Sequence, residues 1–252
     1  MTTEPATSAS TTPAAAADGG PLVSVLVAAF NEEATVEAVV RRVADLPFQS
    51  EIVVVDDGSV DDTRAVLERL EGEHGVPGLR VLSHERNRGK GAAVRTAIDA
   101  SKGDIVVIQD ADLEYDPRDL PRLLAPILEG HADAVFGTRL RGGQPQRAHL
   151  FWHYAGNRFL SLLTNVLFNT TISDMEVGYK AFRGDLVRSL DLVSDDFAIE
   201  PELTAKILRH GDVRLYEVPI SYFGRTYAEG KKITWRDGLG AVRALIRFRL
   251  ER

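Results

Sequence analysis

Two aspartates, Asp110 and Asp112, are the first residues whose type and spacing suggest chemistry. They follow an apolar run, residues 105–108, that predicts a buried strand. Side chains two positions apart leave an extended strand on the same side, so the two carboxylates should repel each other unless a cation lies between them. The pattern predicts a site for Mg²⁺ or Mn²⁺, shared with substrate phosphates. The alternative is an acidic turn that only ends a strand.

The composition of the 252-residue chain excludes several classes of protein. A formal net charge of -7 disfavours a general nucleic-acid-binding protein, so no nucleic-acid partner is expected. The absence of cysteine excludes disulfides, thiolate metal sites and a cysteine nucleophile. No apolar run reaches the roughly 18 residues that predict a membrane span. Residues 1–20, rich in Ala, Thr, Ser and Pro, are expected to form a disordered leader.

Along the chain, apolar runs that predict strands alternate with helical patterns. The predicted strands are residues 22–29, 51–55, 79–82, 105–108 and 132–138. The predicted helices lie near residues 36–43, 61–70, 92–100 and 118–128. This alternation predicts an α/β domain with a mostly parallel central sheet flanked by helices.

A polar cluster follows each of the first four predicted strands. The clusters are residues 30–33, 56–59, 87–91 and 110–114. Open α/β sheets bind ligands at the edge where their parallel strands end, so these clusters predict a nucleotide-type site. The Gly-rich segment 87–91 is neither a Walker loop nor a dinucleotide fingerprint, which disfavours a P-loop NTPase or a nicotinamide enzyme.

The second half of the chain leaves two questions open. Residues 149–168 are aromatic and apolar, and they predict either a core helix or a helix lying at a membrane surface. A strand is expected over residues 212–220. The helix expected after Trp235 is basic, and it is either a capping helix with a solvated face or a second membrane-surface helix. Four of its apolar positions are expected on one helical face: Leu239, Val242, Leu245 and Ile246.

Five motifs together resemble the family 2 glycosyltransferases with the GT-A fold, and most closely the dolichol- and polyprenyl-phosphate sugar synthases. The motifs are VLVAAFNEE (25–33), VVVDDGSVDDT (53–63), NRGKGAA (87–93), QDADLEYDP (109–117) and FGTRLRGG (136–143). The resemblance implies a GT-A domain over residues 21–235, followed by a basic amphipathic helix over 236–252.

The resemblance also implies roles for individual residues. Metal binding falls to Asp110, Asp112 and Glu114. Binding of the donor nucleotide and diphosphate falls to Ala28, Ala29, Phe30, Asn31, Glu32, Asp56, Asp57, Lys90 and Ala111. The catalytic set is Asp110, Asp112, Arg139 and Asp174, and the acceptor phosphate is expected at Arg225, Lys231 and Lys232.

The reaction that the resemblance implies is an inverting transfer of a hexose from a nucleotide-diphosphate sugar, GDP-mannose or a UDP-hexose, to a polyprenyl or dolichyl phosphate. Such a phosphate is already largely ionised near neutrality and needs no strong base. A saccharide hydroxyl acceptor would need a general base, for which Asp174 and Glu200 are the candidates. A non-catalytic nucleotide-sugar-binding protein is the alternative from another class.

A lipid acceptor also sets an expectation for location. Many relatives carry C-terminal transmembrane helices, and no such helix is predicted here. The resemblance therefore implies a cytoplasmic protein that is peripheral at the cytoplasmic membrane face, with or without a separate membrane subunit.

Overall fold

The computed structural model describes residues 20–72, 75–147, 150–225 and 235–251. The strands are β1 (Val23–Ala29), β2 (Ser50–Asp56), β3 (Leu79–Ser83), β4 (Ile105–Asp110), β5 (Ala134–Thr138), β6 (Lys180–Arg183) and β7 (Leu215–Pro219). The helices are α1 (Val36–Ala44), α2 (Thr63–Glu71), α3 (Lys90–Ala100), α4 (Leu120–Leu128), α5 (Phe151–Phe168), α6 (Gly184–Ser189), α7 (Ile199–Arg209) and α8 (Trp235–Leu250). The leader predicted over residues 1–20 lies, except for Gly20, outside the described residues.

The strands form one mostly parallel sheet in the order β3-β2-β1-β4-β6-β5-β7. This confirms the predicted α/β class. Strand β6 is the antiparallel member, and it pairs with β4 on one side and β5 on the other. The sequence analysis missed it because the strand has only four residues and begins with a fully buried lysine, Lys180, where a core strand is expected to be apolar.

The register of the central strands places the predicted polar clusters side by side. Ala28 at the end of β1 pairs with Asp110 at the end of β4, and Ala29 pairs with Asp56 at the end of β2. Strands β1, β2 and β4 are buried on both faces, which explains their nearly continuous apolar sequence. The rigid centre of the sheet therefore carries the loops that follow these strands.

Helix α8 packs against α5 and α7. Its buried face consists of Ala241, Ala244, Leu245 and Phe248. The four positions expected on one helical face, Leu239, Val242, Leu245 and Ile246, therefore do not form a continuous exposed stripe. Leu245 is buried, whereas Leu239 and Ile246 are exposed, because the packing face is centred one position away from the predicted stripe.

Helix α5 buries only a narrow stripe, which includes Leu160, Ser161 and Thr164. Its remaining surface is unusually apolar for an exposed helix, and its exposed large side chains include Phe151, Trp152, Phe159, Leu162 and Val166. Neither open alternative for residues 149–168 describes the helix completely, since one stripe packs and the other does not. None of the helices in the described ranges has the length and hydropathy needed to cross a bilayer.

Gly58, in the loop after β2, packs closely against the backbone of a neighbouring loop. Its φ is +71°, and a Cβ there would lie 2.4 Å from the backbone of Arg86. Gly130 has a similar φ of +75° but no atom within 4 Å of the added Cβ. We expect Gly130→Ala to lower the free energy of unfolding by about 1 kcal/mol, the cost of the left-handed conformation alone. Gly58→Ala should cost at least about 2 kcal/mol more, measured by denaturant unfolding, because backbone atoms must also move. Equal losses in the two variants would mean that the Gly58 loop is not in close contact with the backbone of Arg86.

Candidate active site

A cavity of about 360 Å³ opens at the carboxyl edge of the sheet. Most residues predicted to bind the donor line it, namely Ala28, Ala29, Phe30, Glu32, Asp57, Lys90 and Ala111. The predicted acidic residues Asp110, Asp112 and Glu114 also line it, together with Arg139 and Arg225. The structure therefore brings together residues from five separate sequence motifs in one cavity.

Two predicted donor-binding residues, Asn31 and Asp56, are not among the residues that line this cavity. Asn31 bridges two loops: its Oδ1 accepts a hydrogen bond from the Val60 N–H at 2.9 Å, and its own N–H donates to the Ser59 hydroxyl at 2.9 Å. Asp56 is buried at the end of β2, where its Oδ1 accepts from the Ser59 N–H at 3.1 Å. Both residues hold the loops that surround the cavity.

Asp57 organises the Gly-rich segment at the cavity wall. Its carboxylate accepts hydrogen bonds from the backbone N–H groups of Arg88, at 3.0 Å, and Gly89, at 2.8 Å. His84 Nδ1 lies 2.6 Å from the same carboxylate, and His84 Nε2 lies 3.0 Å from the hydroxyl of Thr96. The sequence analysis missed His84, since its position after the short edge strand β3 gives no motif signal.

Lys90 connects two carboxylates across the cavity wall. Its Nζ lies 2.8 Å from Asp110 Oδ1 and 3.0 Å from Glu200 Oε1. Burial disfavours the charged lysine, but the two carboxylates outweigh burial and raise the pKa of Lys90 well above its usual value. Glu200 also binds the fully buried Lys180. The result is a chain of alternating charges that fixes Asp110 at the end of β4.

Arg225 occupies the corresponding position beside Asp112. Its Nη2 lies 2.9 Å from Asp112 Oδ2 and 3.1 Å from Glu32 Oε1. Burial, followed by the negative charges of Asp110 and Glu114, raises the pKa of Asp112 to about 6. The structure therefore concentrates more carboxylate charge at this point than Arg225 neutralises.

The structure places the three residues predicted as metal ligands in one cavity. In the described part of the chain, no group of three or more Asp, Glu or His side chains is arranged to hold a metal ion. The Glu114 carboxylate accepts hydrogen bonds from the Tyr222 hydroxyl and the Arg225 N–H, both at 2.7 Å. That Glu114 joins Asp110 and Asp112 as a metal ligand stays a prediction.

The pair Asp110 and Asp112 nevertheless fits a divalent cation. Hard oxygen ligands suit Mg²⁺ and Mn²⁺, and Mg²⁺ is commonly held by one or two carboxylates together with substrate phosphates and water. Such a site needs no third protein ligand. The raised pKa of Asp112 shows that additional positive charge would be favourable here.

Arg139 and Asp174 form a buried pair at the end of β5. The Arg139 side chain donates two hydrogen bonds to the Asp174 carboxylate, both at 2.7 Å, and its backbone N–H donates a third at 3.0 Å. Burial disfavours the charged Asp174, but Arg139 outweighs burial and keeps the pKa of Asp174 below its usual value. The Arg139 guanidinium also lies 5.0 Å from the centre of the Tyr222 ring, which orients it toward the cavity.

Glu176 also lines the cavity, and the sequence analysis did not select it. Its Oε1 is inaccessible to water and has no hydrogen-bond partner among the described residues. Burial, opposed in part by Lys180, raises the pKa of Glu176 to about 7. No spacing rule identifies this residue, because its environment is created by β5, β6 and α7 together.

Lys231 and Lys232, predicted at the acceptor phosphate, lie outside the described residues.

The family model described as "Glycosyl transferase family 2" matches residues 24–190. Among curated proteins, the dodecaprenyl-phosphate galacturonate synthase of Rhizobium johnstonii is 26% identical over 213 residues, which are 83% of this chain and 61% of that protein. Glycosyltransferase AglJ of Haloferax volcanii is 30% identical over 204 residues, which are 81% of this chain and 63% of that protein. This chain thus spans less than two thirds of the length of either relative.

A solved structure shows the same architecture. Glucosyl-3-phosphoglycerate synthase from Mycobacterium tuberculosis, in complex with Mn²⁺, UDP and phosphoglyceric acid, superimposes with a TM-score of 0.70 at 24% identity. The match covers 92% of this chain and 79% of that chain. At this level of identity the likeness establishes the fold, which is of the GT-A type.

The environment of Glu176 predicts how stability depends on pH. Below about pH 4.5 the carboxyl is protonated in both the folded and the unfolded state; between pH 4.5 and 7 only the folded state keeps the proton. Relative to Glu176→Gln, the wild type should therefore lose stability as pH rises through this window, by about 1–3 kcal/mol in total. Denaturant unfolding from pH 4.5 to 8 measures the difference.

Glu202→Gln is a matched control for this measurement, with the opposite sign. The Glu202 carboxylate accepts hydrogen bonds from the backbone N–H groups of Val193 and Ser194, and its pKa is lowered. The stabilisation it provides is present above its unfolded pKa and is lost as pH falls, so Glu202→Gln should be most destabilising at neutral pH. Parallel curves for the two variants would contradict the environment assigned to Glu176.

Proposed function

We propose that this chain, which belongs to glycosyl transferase family 2 and is a glycosyltransferase, moves a hexose from a nucleotide-diphosphate sugar to a polyprenyl phosphate. The observation that carries the proposal is the position of Asp110 and Asp112. Their carboxylates lie at the end of β4, in one cavity with the β1 residues Ala28 and Ala29. A nucleotide bound against β1 would place its diphosphate beside these aspartates.

In this mechanism Asp110 and Asp112 would hold Mg²⁺ or Mn²⁺. The cation would act as a Lewis acid toward the departing diphosphate. The protein supplies the rest of the electrostatic environment: Lys90 fixes Asp110, and Arg225 is close enough to Asp112 to move onto a phosphate oxygen. Arg139, held by Asp174, would contact the acceptor phosphate and offset the repulsion between two anions.

The two bases expected for a hydroxyl acceptor are both held in ion pairs, which favours a phosphate acceptor. Asp174 is paired with Arg139, and Glu200 is paired with Lys90 and Lys180, so neither carboxylate is poised to accept a proton. Glu176 is the cavity carboxyl with an oxygen that has no hydrogen-bond partner among the described residues, and its substitution distinguishes a base from a sugar contact. A lipid phosphate carries its own negative charge and attacks the anomeric carbon without a base. The Rhizobium relative is a dodecaprenyl-phosphate galacturonate synthase, which agrees with a polyprenyl phosphate acceptor.

The decisive experiment is transfer of label into a lipid phase. The protein would be incubated with Mg²⁺, polyprenyl phosphate in vesicles and a panel of labelled nucleotide sugars that includes GDP-mannose and several UDP-hexoses, followed by extraction into organic solvent. We expect acid-labile labelled lipid with one of these donors. A labelled product that remains in water and carries the sugar on a hydroxyl would instead support the saccharide acceptor, and no product with any donor would support a non-catalytic binding protein.

Removal of one aspartate tests the metal assignment. Asp112→Asn should reduce lipid labelling on the order of 100-fold or more, because the cation would lose one of its two protein ligands. The fold should be retained, since loss of this charge relieves repulsion with Asp110 and Glu114. Asp110→Asn should have the same effect on transfer but should cost more stability, because Lys90 loses a partner. Full turnover in excess chelator would contradict the metal assignment.

The exposed apolar face of α5 supports peripheral attachment at the cytoplasmic membrane face. Phe151, Trp152, Phe159, Leu162 and Val166 project from it. At the far end of the helix, the Arg249 side chain of α8 donates a hydrogen bond to the Leu167 carbonyl at 2.8 Å, so one arginine of α8 lies at the C-terminal end of α5. Apolar and cationic groups side by side favour adsorption to an anionic bilayer, at about 1 kcal/mol per cation.

Vesicle sedimentation tests this attachment. We expect binding that grows with the anionic lipid content and weakens with salt. Trp152→Ser with Phe159→Ser should reduce it at least about tenfold, because both side chains are exposed and would lose apolar contact with lipid. Val60→Ser, which removes an exposed apolar side chain in the loop before α2, is the control and should bind as the wild type does. Equal weak binding to every vesicle, with transfer retained, would assign recruitment to a separate membrane subunit.

A further inference from the structure

The strand order sets the order of subsites along the cavity. Strands β2 and β1 lie on one side of β4, and β6 and β5 lie on the other. If the nucleoside lies against β1 and β2 and the diphosphate lies beside Asp110 and Asp112, the transferred sugar falls on the side of β6 and β5. The cavity wall on that side includes Arg139, Glu176 and Gly178.

Gly178 brings the segment that precedes β6 into contact with Asp110. A Cβ at Gly178 would lie 2.3 Å from Asp110 Oδ2 and 3.0 Å from the ring of Tyr115. The Gly178 N–H donates a hydrogen bond to the Tyr115 hydroxyl at 3.1 Å, which fixes this approach. Glu176, two residues earlier, lines the same cavity as Asp110.

The carboxyl of Glu176 differs from its acidic neighbours in having an unused hydrogen-bonding atom. Asp174 and Glu200 are both held in ion pairs, with Arg139 and with the lysines Lys90 and Lys180. By contrast, Glu176 Oε1 is buried without a partner among the described residues. Buried polar atoms are nearly always paired in folded proteins, so a turn of the Glu176 carboxyl toward the cavity, where a ligand hydroxyl would pair with Oε1, would satisfy an unmet hydrogen bond.

We propose that Glu176 determines sugar specificity: its carboxyl accepts a hydrogen bond from a hydroxyl of the transferred sugar, and its negative charge disfavours a donor whose sugar is a uronic acid. The enzyme would accordingly transfer a neutral hexose. This inference rests on the proposed function, because it takes the position of the sugar from the position of the diphosphate.

The charges that face Glu176 are consistent with this role. Lys180 and Arg139 favour its ionised form, whereas Glu200 and Asp174 oppose it. Lys180 is paired with Glu200, and Arg139 is paired with Asp174 and, under the proposed function, also contacts the acceptor phosphate, so neither cation is left to attract a sugar carboxylate. Discrimination against a uronic acid should therefore increase from pH 6 to pH 8, as Glu176 ionises.

Binding measurements separate sugar recognition from nucleotide recognition. Isothermal titration calorimetry in Mg²⁺ would give Kd values for UDP, UDP-glucose, UDP-glucuronate, GDP and GDP-mannose with the wild type, Glu176→Gln and Glu176→Ala. We define the sugar increment as the Kd of the free nucleotide diphosphate divided by the Kd of the corresponding nucleotide sugar. We expect Glu176→Ala to lower the increment for the bound hexose about tenfold while the Kd of the free nucleotide is unchanged.

Glu176→Gln tests the role of charge with little change of shape. It should improve binding of UDP-glucuronate relative to UDP-glucose about tenfold at pH 8, and it should abolish the pH dependence of that ratio. Glu202→Gln removes a buried carboxylate that does not line the cavity, and should alter neither quantity.

Three results would overturn the inference. Unchanged increments and an unchanged uronate ratio in both Glu176 variants would show that Glu176 does not contact the sugar. If the wild type still bound nucleotide, the proposed function would be unaffected by that result. Unchanged increments with transfer to a hydroxyl acceptor lowered about 100-fold or more would make Glu176 a general base. Failure of the wild type to bind any nucleotide would refute the proposed function, and the inference with it.

Discussion

Repulsion among carboxylates is the constraint on which this sheet edge depends. The strands β1, β2 and β4 end side by side, and the loops after them carry acidic residues into one cavity. Burial makes each negative charge more costly, so a carboxylate that stays ionised needs a cation or several N–H groups. The structure answers with Lys90 between Asp110 and Glu200, Arg225 between Asp112 and Glu32, and Arg139 on Asp174. These pairs hold loops together that the strands alone would leave separate.

Strand β6 explains why the second half of the chain can take part in this network. By running antiparallel between β4 and β5, it brings the preceding segment back to the carboxyl ends of its neighbours. Asp174, Glu176 and Gly178 all lie in that segment. Lys180, the first residue of β6, is anchored inside by Glu200 and by the carbonyls of Met175 and Val177. A buried lysine is costly unless it is fully paired, and here its partners tie the segment to α7.

The sequence predicted those parts of the fold that follow from local pattern. The strands around the centre of the sheet have strong apolar runs, and the polar clusters after them fall in the cavity as expected, with Asp110, Asp112 and Lys90 among them. The failures have a common physical origin in tertiary context. Four residues beginning with a lysine do not predict a strand, and nothing near His84 or Glu176 reveals that distant elements enclose them. The hydrogen bonds of Glu114 with Tyr222 and Arg225 were equally hidden, because both partners are distant in sequence.

The balance of charge also bears on how a donor would enter. Among the described residues that line the cavity, the acidic side chains Glu32, Asp57, Asp110, Asp112, Glu114, Glu176 and Glu200 outnumber the cations Lys90, Arg139 and Arg225. A nucleotide diphosphate is itself an anion, so it would be repelled by this wall if it arrived alone. Under the proposed function, a divalent cation that accompanied the diphosphate would offset this repulsion. Its arrival would compete with Arg225 for Asp112, and the released guanidinium would then be available to the phosphates.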